Sequence, residues 1–125
     1  MIEKMHHIAL IVAERERTLR FYEALGFSLT ESVLRPERRD EILFMSGHGI
    51  LLEIFVDATH PPRPTSPEAM GLRHVAFSVD DVSSACEALR ALGYQPESIR
   101  VDTRTGAEMT FVKDPDGLPI ELRAY

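Results

Sequence analysis

The chain repeats itself, and the repeat constrains its fold more than any other feature. His7-Ile8-Ala9-Leu10-Ile11-Val12 recurs as His74-Val75-Ala76-Phe77-Ser78-Val79, 67 positions on. At the same offset Leu25-Gly26-Phe27 answers Leu92-Gly93-Tyr94, and Phe44 answers Phe111. Leu52-Glu53-Ile54 answers Ile120-Glu121-Leu122 with one residue of slippage. Each copy carries one histidine and one glutamate in matching places. A fold of two similar halves commonly relates them by a pseudo-twofold axis, which brings corresponding positions together. Two imidazoles and two carboxylates at such an axis make a divalent-metal site.

Hydrophobic periodicity gives the elements of each half. Residues 6–12 form a β-branched and aliphatic run that reads as a strand. Residues 14–24 place Leu19, Phe21, Tyr22 and Leu25 at helical spacing, and Gly26 stops the helix. Residues 27–34 read as a strand and 36–40 as a polar turn. Residues 41–45 and 50–56 read as a hairpin across Ser46-Gly47-His48-Gly49. Residues 58–67 hold four of the eight prolines and read as an extended, semi-rigid linker, because proline fixes its own φ and lacks a ladder donor. The pattern then restarts, with a strand over 72–79 and a helix capped by Asp80 or Asp81 that Gly93 ends. Strands follow over 95–102, 107–113 and 118–124, the last two joined by Asp114-Pro115-Asp116-Gly117. The expected architecture is α+β, a single domain over 1–125. It comprises one βαβββ module over 1–57, the linker over 58–67 and a second module over 68–125. The modules form a cupped, eight-stranded mixed sheet with the helices outside.

Strand parity sorts the side chains, because alternate residues share a face. Ile8, Leu10 and Val12 oppose His7, Ala9 and Ile11; Val75, Phe77 and Val79 oppose His74, Ala76 and Ser78. The bulky sets belong against the helices, which leaves both histidines on the helix-free face. Glu53 and Glu121 fall on that face by the same parity. A carboxylate between aliphatics on a sheet is costly without a partner, and a shared cation supplies one. The imidazole and carboxylate donors suit Zn, Ni and Co, then Mn and Fe(II); the lack of thiolates argues against copper(I) and iron–sulfur clusters. His6 points to the helix side by parity and has no counterpart in the second copy, where Arg73 stands. His48 and His60 fall in the hairpin turn and the linker and read as solvated.

The net charge of −6 argues against nucleic acid or an anionic membrane as the main partner. The basic residues are scattered, except Arg35, Arg38 and Arg39, which alternate with acids as a solvated loop. No apolar run approaches the roughly 20 residues that span a bilayer, and residues 1–6 lack the features of a signal peptide. A single cysteine, Cys86, makes an internal disulfide impossible and points to a reducing cytoplasm. Its mid-helix position reads as a buried structural thiol. No phosphate loop and no Ser/His/Asp spacing is present.

The His-Ile-Ala-Leu start, the Phe-Tyr-x-x-Leu-Gly-Phe helix end and the Asp-Pro-Asp-Gly-x-x-Ile-Glu-Leu finish resemble the vicinal oxygen chelate superfamily. That superfamily holds glyoxalase I, methylmalonyl-CoA epimerase, extradiol dioxygenases and the fosfomycin and bleomycin resistance proteins. The resemblance spans essentially the whole chain and is nearest to the glyoxalase I-like, YaeR-type metalloproteins. By position, His7, Glu53, His74 and Glu121 match the four metal ligands of glyoxalase I. It implies a lyase or isomerase that transfers a proton next to a carbonyl, with Glu121, or else Glu53, as the base. It also implies a homodimer and a small-molecule substrate, with the two modules pairing within a chain or between chains. Arg123, two residues past Glu121 on the same face, is a candidate for a substrate carboxylate or phosphate, and Phe55 for an apolar pocket wall. Ile11 and Asp57 stand where bacterial glyoxalase I has an arginine and an asparagine, which disfavours an anionic glutathione adduct. Two other activities share the fold, a non-catalytic binding protein of the bleomycin-resistance kind and an Fe(II) dioxygenase. Both use a different ligand complement from the four residues here.

Overall fold

The computed structural model describes every residue from Met1 to Tyr125. The chain divides into two compact units, Met1–Pro62 and Arg63–Tyr125, and the division falls inside the proline-rich segment.

The first unit runs β1 (Ile8–Val12), α1 (Arg15–Ala24), β2 (Ser28–Arg35), a 3₁₀ turn (Pro36–Arg38), β3 (Asp40–Gly47) and β4 (Ile50–Val56). Its sheet has the order β1-β4-β3-β2, with β1 parallel to β4 and the other pairs antiparallel. The second unit runs β5 (Val75–Ser78), α2 (Val82–Ala91), β6 (Arg100–Val101), β7 (Glu108–Lys113) and β8 (Pro119–Arg123). Its order, β5-β8-β7-β6, repeats the first, again with the leading pair parallel. The eight strands and two helices are those the periodicity predicts.

Burial follows strand parity. In the first unit Leu43, Met45, Leu52 and Ile54 are buried on one face of the sheet, as are Leu19, Phe21 and Tyr22 of α1. In the second, Val112, Ile120 and Leu122 are buried, as are Val82, Cys86 and Leu89 of α2. Burying side chains of this size against one another is the main stabilising term in each unit, at about 1.5–3 kcal/mol for each large apolar side chain. Cys86 is fully enclosed, as a structural thiol would be.

The repeated Leu-Gly-aromatic triplet is the helix stop in both units. Gly26 and Gly93 take φ of +94° and +93°, a left-handed turn that most side chains avoid. Phe27 then donates its N–H to the Tyr22 carbonyl and Tyr94 to the Leu89 carbonyl, each at 3.0 Å, closing a Schellman cap. The helix starts differ. Asp81 accepts from the N–H groups of Ser83 and Ser84, whereas Glu14 makes no side-chain cap bond.

The one-residue slippage lies in the hairpins. Gly47 pairs with Ile50, so β3 and β4 are joined by His48-Gly49 alone. In the second unit Asp114 donates its N–H to the Leu118 carbonyl at 2.8 Å, leaving a three-residue turn, Pro115-Asp116-Gly117. The extra residue leaves the register intact: Phe44 lies opposite Glu53 and Phe111 opposite Glu121.

Two local expectations need correction. The strand expected over 95–102 shrinks to Arg100–Val101. Pro96 has no N–H for a ladder, and the Glu97 carbonyl instead accepts from the Thr110 hydroxyl at 2.6 Å. Arg35 is no solvated loop residue, since it closes a two-point ion pair with Asp40 at 2.8 and 2.6 Å and lies over the Phe55 ring. His48 is exposed, as expected for a turn residue, and in addition its Nε2 lies 2.7 Å from the Leu25 carbonyl and its ring meets Phe27 edge-on.

Candidate metal centre

The parallel pairing of the first and last strands of each unit builds the same arrangement twice. Ala9 lies beside Glu53 in the β1–β4 register and Ala76 beside Glu121 in the β5–β8 register. The methyl side chains leave space over the sheet, and the histidine two residues earlier on the same parity reaches into it. His7 Nε2 stands 3.0 Å from Glu53 Oε2, and His74 Nε2 stands 3.4 Å from Glu121 Oε2. The same two atoms face each other in each unit, so the repeat extends to the chemistry of the side chains.

These separations fit a metal's coordination shell. Nitrogen and oxygen ligands each about 2.1 Å from one ion, with an angle of about 90–110° between them, stand about 3.0–3.4 Å apart. The donor set, two imidazoles and two carboxylates, matches borderline to hard divalent ions. No group of three or more histidine, cysteine, aspartate or glutamate side chains placed to hold a metal ion is present in the chain. His7 and Glu53 form one pair within the first unit, and His74 and Glu121 the equivalent pair within the second.

The surroundings of the pairs differ. His6 does not turn toward the helix but lies exposed, its ring edge-on to that of His7. Its Nδ1 lies 2.9 Å from Nδ1 of His7, and this contact leaves Nε2 of His7 directed at Glu53. His74 meets the Phe111 ring edge-on at 5.2 Å. Glu121 is the more enclosed carboxylate, its side chain 8% exposed against 22% for Glu53. Its Oε1 lies 3.5 Å from Nη1 of Arg123. Nη2 of Arg123 in turn donates to Asp102 Oδ2 and Thr105 Oγ1 at 3.2 and 3.0 Å. Asp102 thus anchors Arg123, and Arg123 braces Glu121. The Asp102 carboxyl is held below the usual aspartate range, first by the Arg104 backbone N–H and then by Arg123.

The remaining sequence candidates lie nearby. Phe55 stands beside Ile11 and Ile42 in the register, under the Arg35 guanidinium at 5.2 Å. Ile11 is 56% exposed. The Asp57 carboxylate accepts from the N–H and hydroxyl of Thr59, and these bonds hold its pKa low. His60 lies 3.4 Å from Asp57. Sequence reasoning missed Asp102 and Thr105, which reach Arg123 from the turn after β6, and parity within a strand says nothing about a turn.

Residues 4–122 match the model of the Glyoxalase/Bleomycin resistance protein/Dioxygenase superfamily. The chain belongs to this superfamily. Its superfamily relatives include YaeR of Escherichia coli strain K12, 43% identical over 125 residues that cover 97% of this chain and 95% of YaeR. The lactoylglutathione lyase of Salmonella typhimurium is 30% identical, over 95% of this chain and 90% of the enzyme. Among solved superfamily structures, a glyoxalase family protein from Enterococcus faecalis superposes with a TM-score of 0.92 at 42% identity, covering 97% of both chains.

Proposed function

We propose that this protein is a metal-dependent lyase or isomerase of the glyoxalase I kind that acts on a small carbonyl compound. His7, Glu53, His74 and Glu121 together hold one divalent ion, with zinc, nickel or cobalt preferred over manganese or iron. The observation that carries this reading is the duplicated approach of His Nε2 to Glu Oε2, built on the same register in both units. A bound ion supplies Lewis-acid charge at the substrate's carbonyl oxygen. Glu121 removes the proton from the adjacent carbon and returns it to the neighbouring one. Arg123 and Asp102 keep that carboxylate in place, and Phe55 with Ile11 offers an apolar wall to the substrate.

The relative named lactoylglutathione lyase supports the reaction class. Two features argue against the glutathione adduct as the substrate here. Ile11 presents a hydrocarbon side chain where a cation would meet a carboxylate, and the Asp57 carboxylate is taken up by Thr59.

Elemental analysis of protein purified without chelators tests the metal site. Wild type should carry close to one divalent ion per set of four ligands. His74→Ala should lose most of it, and His48→Ala none. Full metal retention in His74→Ala would sink the assignment. Glu121→Gln should keep part of the metal, since an amide oxygen still coordinates weakly, while turnover falls roughly 10²–10⁴-fold.

A further inference from the structure

The open face of the second unit carries an unexpected concentration of positive charge. The chain as a whole has a net charge of −6, yet a cavity of about 420 Å³ beside His74 is lined by Arg63, Arg73, Arg100 and Lys113. Only two carboxylates, Glu68 and Glu97, share the lining. A volume of this order suits a small metabolite.

The register explains how the cations gather. Arg100 pairs with Met109 and Met109 with Arg123, while Phe111 faces Glu121 and Lys113 faces Pro119. Met109, Phe111 and Lys113 alternate along β7, so all project from the face that bears Glu121. Two of the four cations are already matched. Arg73 makes a two-point pair with Glu68 at 2.9 and 3.0 Å. Arg100 bonds Glu97 at 2.8 Å and lies over the Phe111 ring. The other two close no ion pair with a carboxylate, although Arg63 lies near enough to Glu68 to help hold its pKa down. Arg63 spends Nη2 on the backbone carbonyls of Leu72 and Arg73, and its Nε is buried without a hydrogen-bond acceptor. Lys113 is exposed at the end of β7. Four cations against two carboxylates leave the lining with a net positive charge, which an oxyanion would offset.

We propose that this cavity seats an anionic group, a carboxylate or a phosphate, carried by the substrate. Lys113 and Arg63 provide the positive charge in excess of the two carboxylates, Arg73 and Arg100 complete the basic lining, and Phe111 adds an apolar surface. As a statement about substrate, this rests on the reading of His74 and Glu121 as half of the metal centre. With the anion seated here, the rest of the molecule lies beside His74, and the substrate class narrows to small carbonyl acids and phosphorylated carbonyl compounds. Anion binding itself does not depend on that reading.

Isothermal titration of the purified protein with inorganic phosphate and with pyruvate tests the proposal, alongside elemental analysis of the same samples. At least one of the two should bind saturably. Lys113→Gln should weaken binding roughly fivefold, as expected for losing one partly solvated charge, and Lys113→Glu should weaken it further. Both effects should shrink as salt is raised. Lys113 is exposed, so both variants should fold, and an unchanged melting temperature verifies it. No saturable binding of either probe by metal-replete wild type overturns the proposal and leaves the metal centre standing. Binding unmoved by Lys113→Gln but lost in His74→Ala places the anion on the metal and also overturns it. Lys113-dependent binding in a protein that holds no metal supports the anion seat and refutes the metal centre instead.

Discussion

At the scale of single residues, the two glutamates are equivalent by register but not by environment. Glu53 meets one histidine, whereas Glu121 is buried deeper and is braced from its other oxygen by Arg123. Arg123 acts through Glu121, so its loss should separate turnover from metal binding. Arg123→Met is expected to keep metal content near wild type and to lower turnover about 10–100-fold, the usual scale for a group that orients a ligand. Metal analysis and initial rates on the same samples check it, and unchanged turnover would remove Arg123 from the positioning role. Asp102 adds a pH signature. Its pKa is depressed in the folded protein, so its contribution is fully present above the unfolded value of about 3.9 and is lost as pH falls through the folded value. Asp102→Asn should therefore lose less stability than wild type when denaturation midpoints are compared between pH 5 and pH 2. Asp40, Asp57, Glu68 and Asp81, also depressed, keep the remaining acid sensitivity in both proteins.

At the scale of elements, the two hairpins place the glutamates by different means. The β3–β4 turn is tight because Gly47 lies against the end of α1. A Cβ there would sit 2.7 Å from the Gly26 carbonyl oxygen and 3.0 Å from the Phe27 ring, and backbone cannot swing away as a side-chain tip can. Gly49 takes φ of +73° with no atom within 4 Å of the same position. Gly47→Ala should thus cost about 1–3 kcal/mol from overpacking, and Gly49→Ala about 1–2 kcal/mol from the left-handed backbone alone. Urea midpoints measure both. The sharper discriminator is the register: Gly47→Ala should also lower metal content, because it disturbs the pairing that carries Glu53, whereas Gly49→Ala should not. Equal metal content in the two variants would show that the turn does not govern the site. The helix starts are unequal in the same way, since Asp81 caps α2 with its side chain and Glu14 does not cap α1.

At the scale of the whole molecule, we propose that two chains associate as a homodimer, the arrangement implied by the resemblance to small members of the superfamily. Sedimentation at tens of micromolar should give twice the chain mass, and a monomer there would remove the dimer while leaving the fold untouched. Mixing His7→Ala with His74→Ala protein then identifies the pairing. Recovery of metal sites in the mixture marks modules exchanged between chains, and no recovery marks pairing within one. No helix of the protein is long and apolar enough to cross a membrane.

Much of this molecule was legible from its residues because its strongest signals are local and duplicated. Period-two and helical spacing gave the eight strands and two helices, the Leu-Gly-aromatic triplets gave both helix stops, and parity put His7, Glu53, His74 and Glu121 on the open faces. Only the tertiary structure decided what depends on register and on turns. It placed the slipped residue in the Pro115-Asp116-Gly117 turn, reduced the strand expected over 95–102 to Arg100–Val101, and tied Arg35 and His48 into specific contacts. It also braced Glu121 through Arg123 and Asp102 and gathered Arg63, Arg100 and Lys113 around one cavity. The physical reason is range. Periodicity records which face of its own element a residue occupies, whereas a contact between residues on different elements or across a turn depends on how neighbouring strands align, and no single strand encodes that.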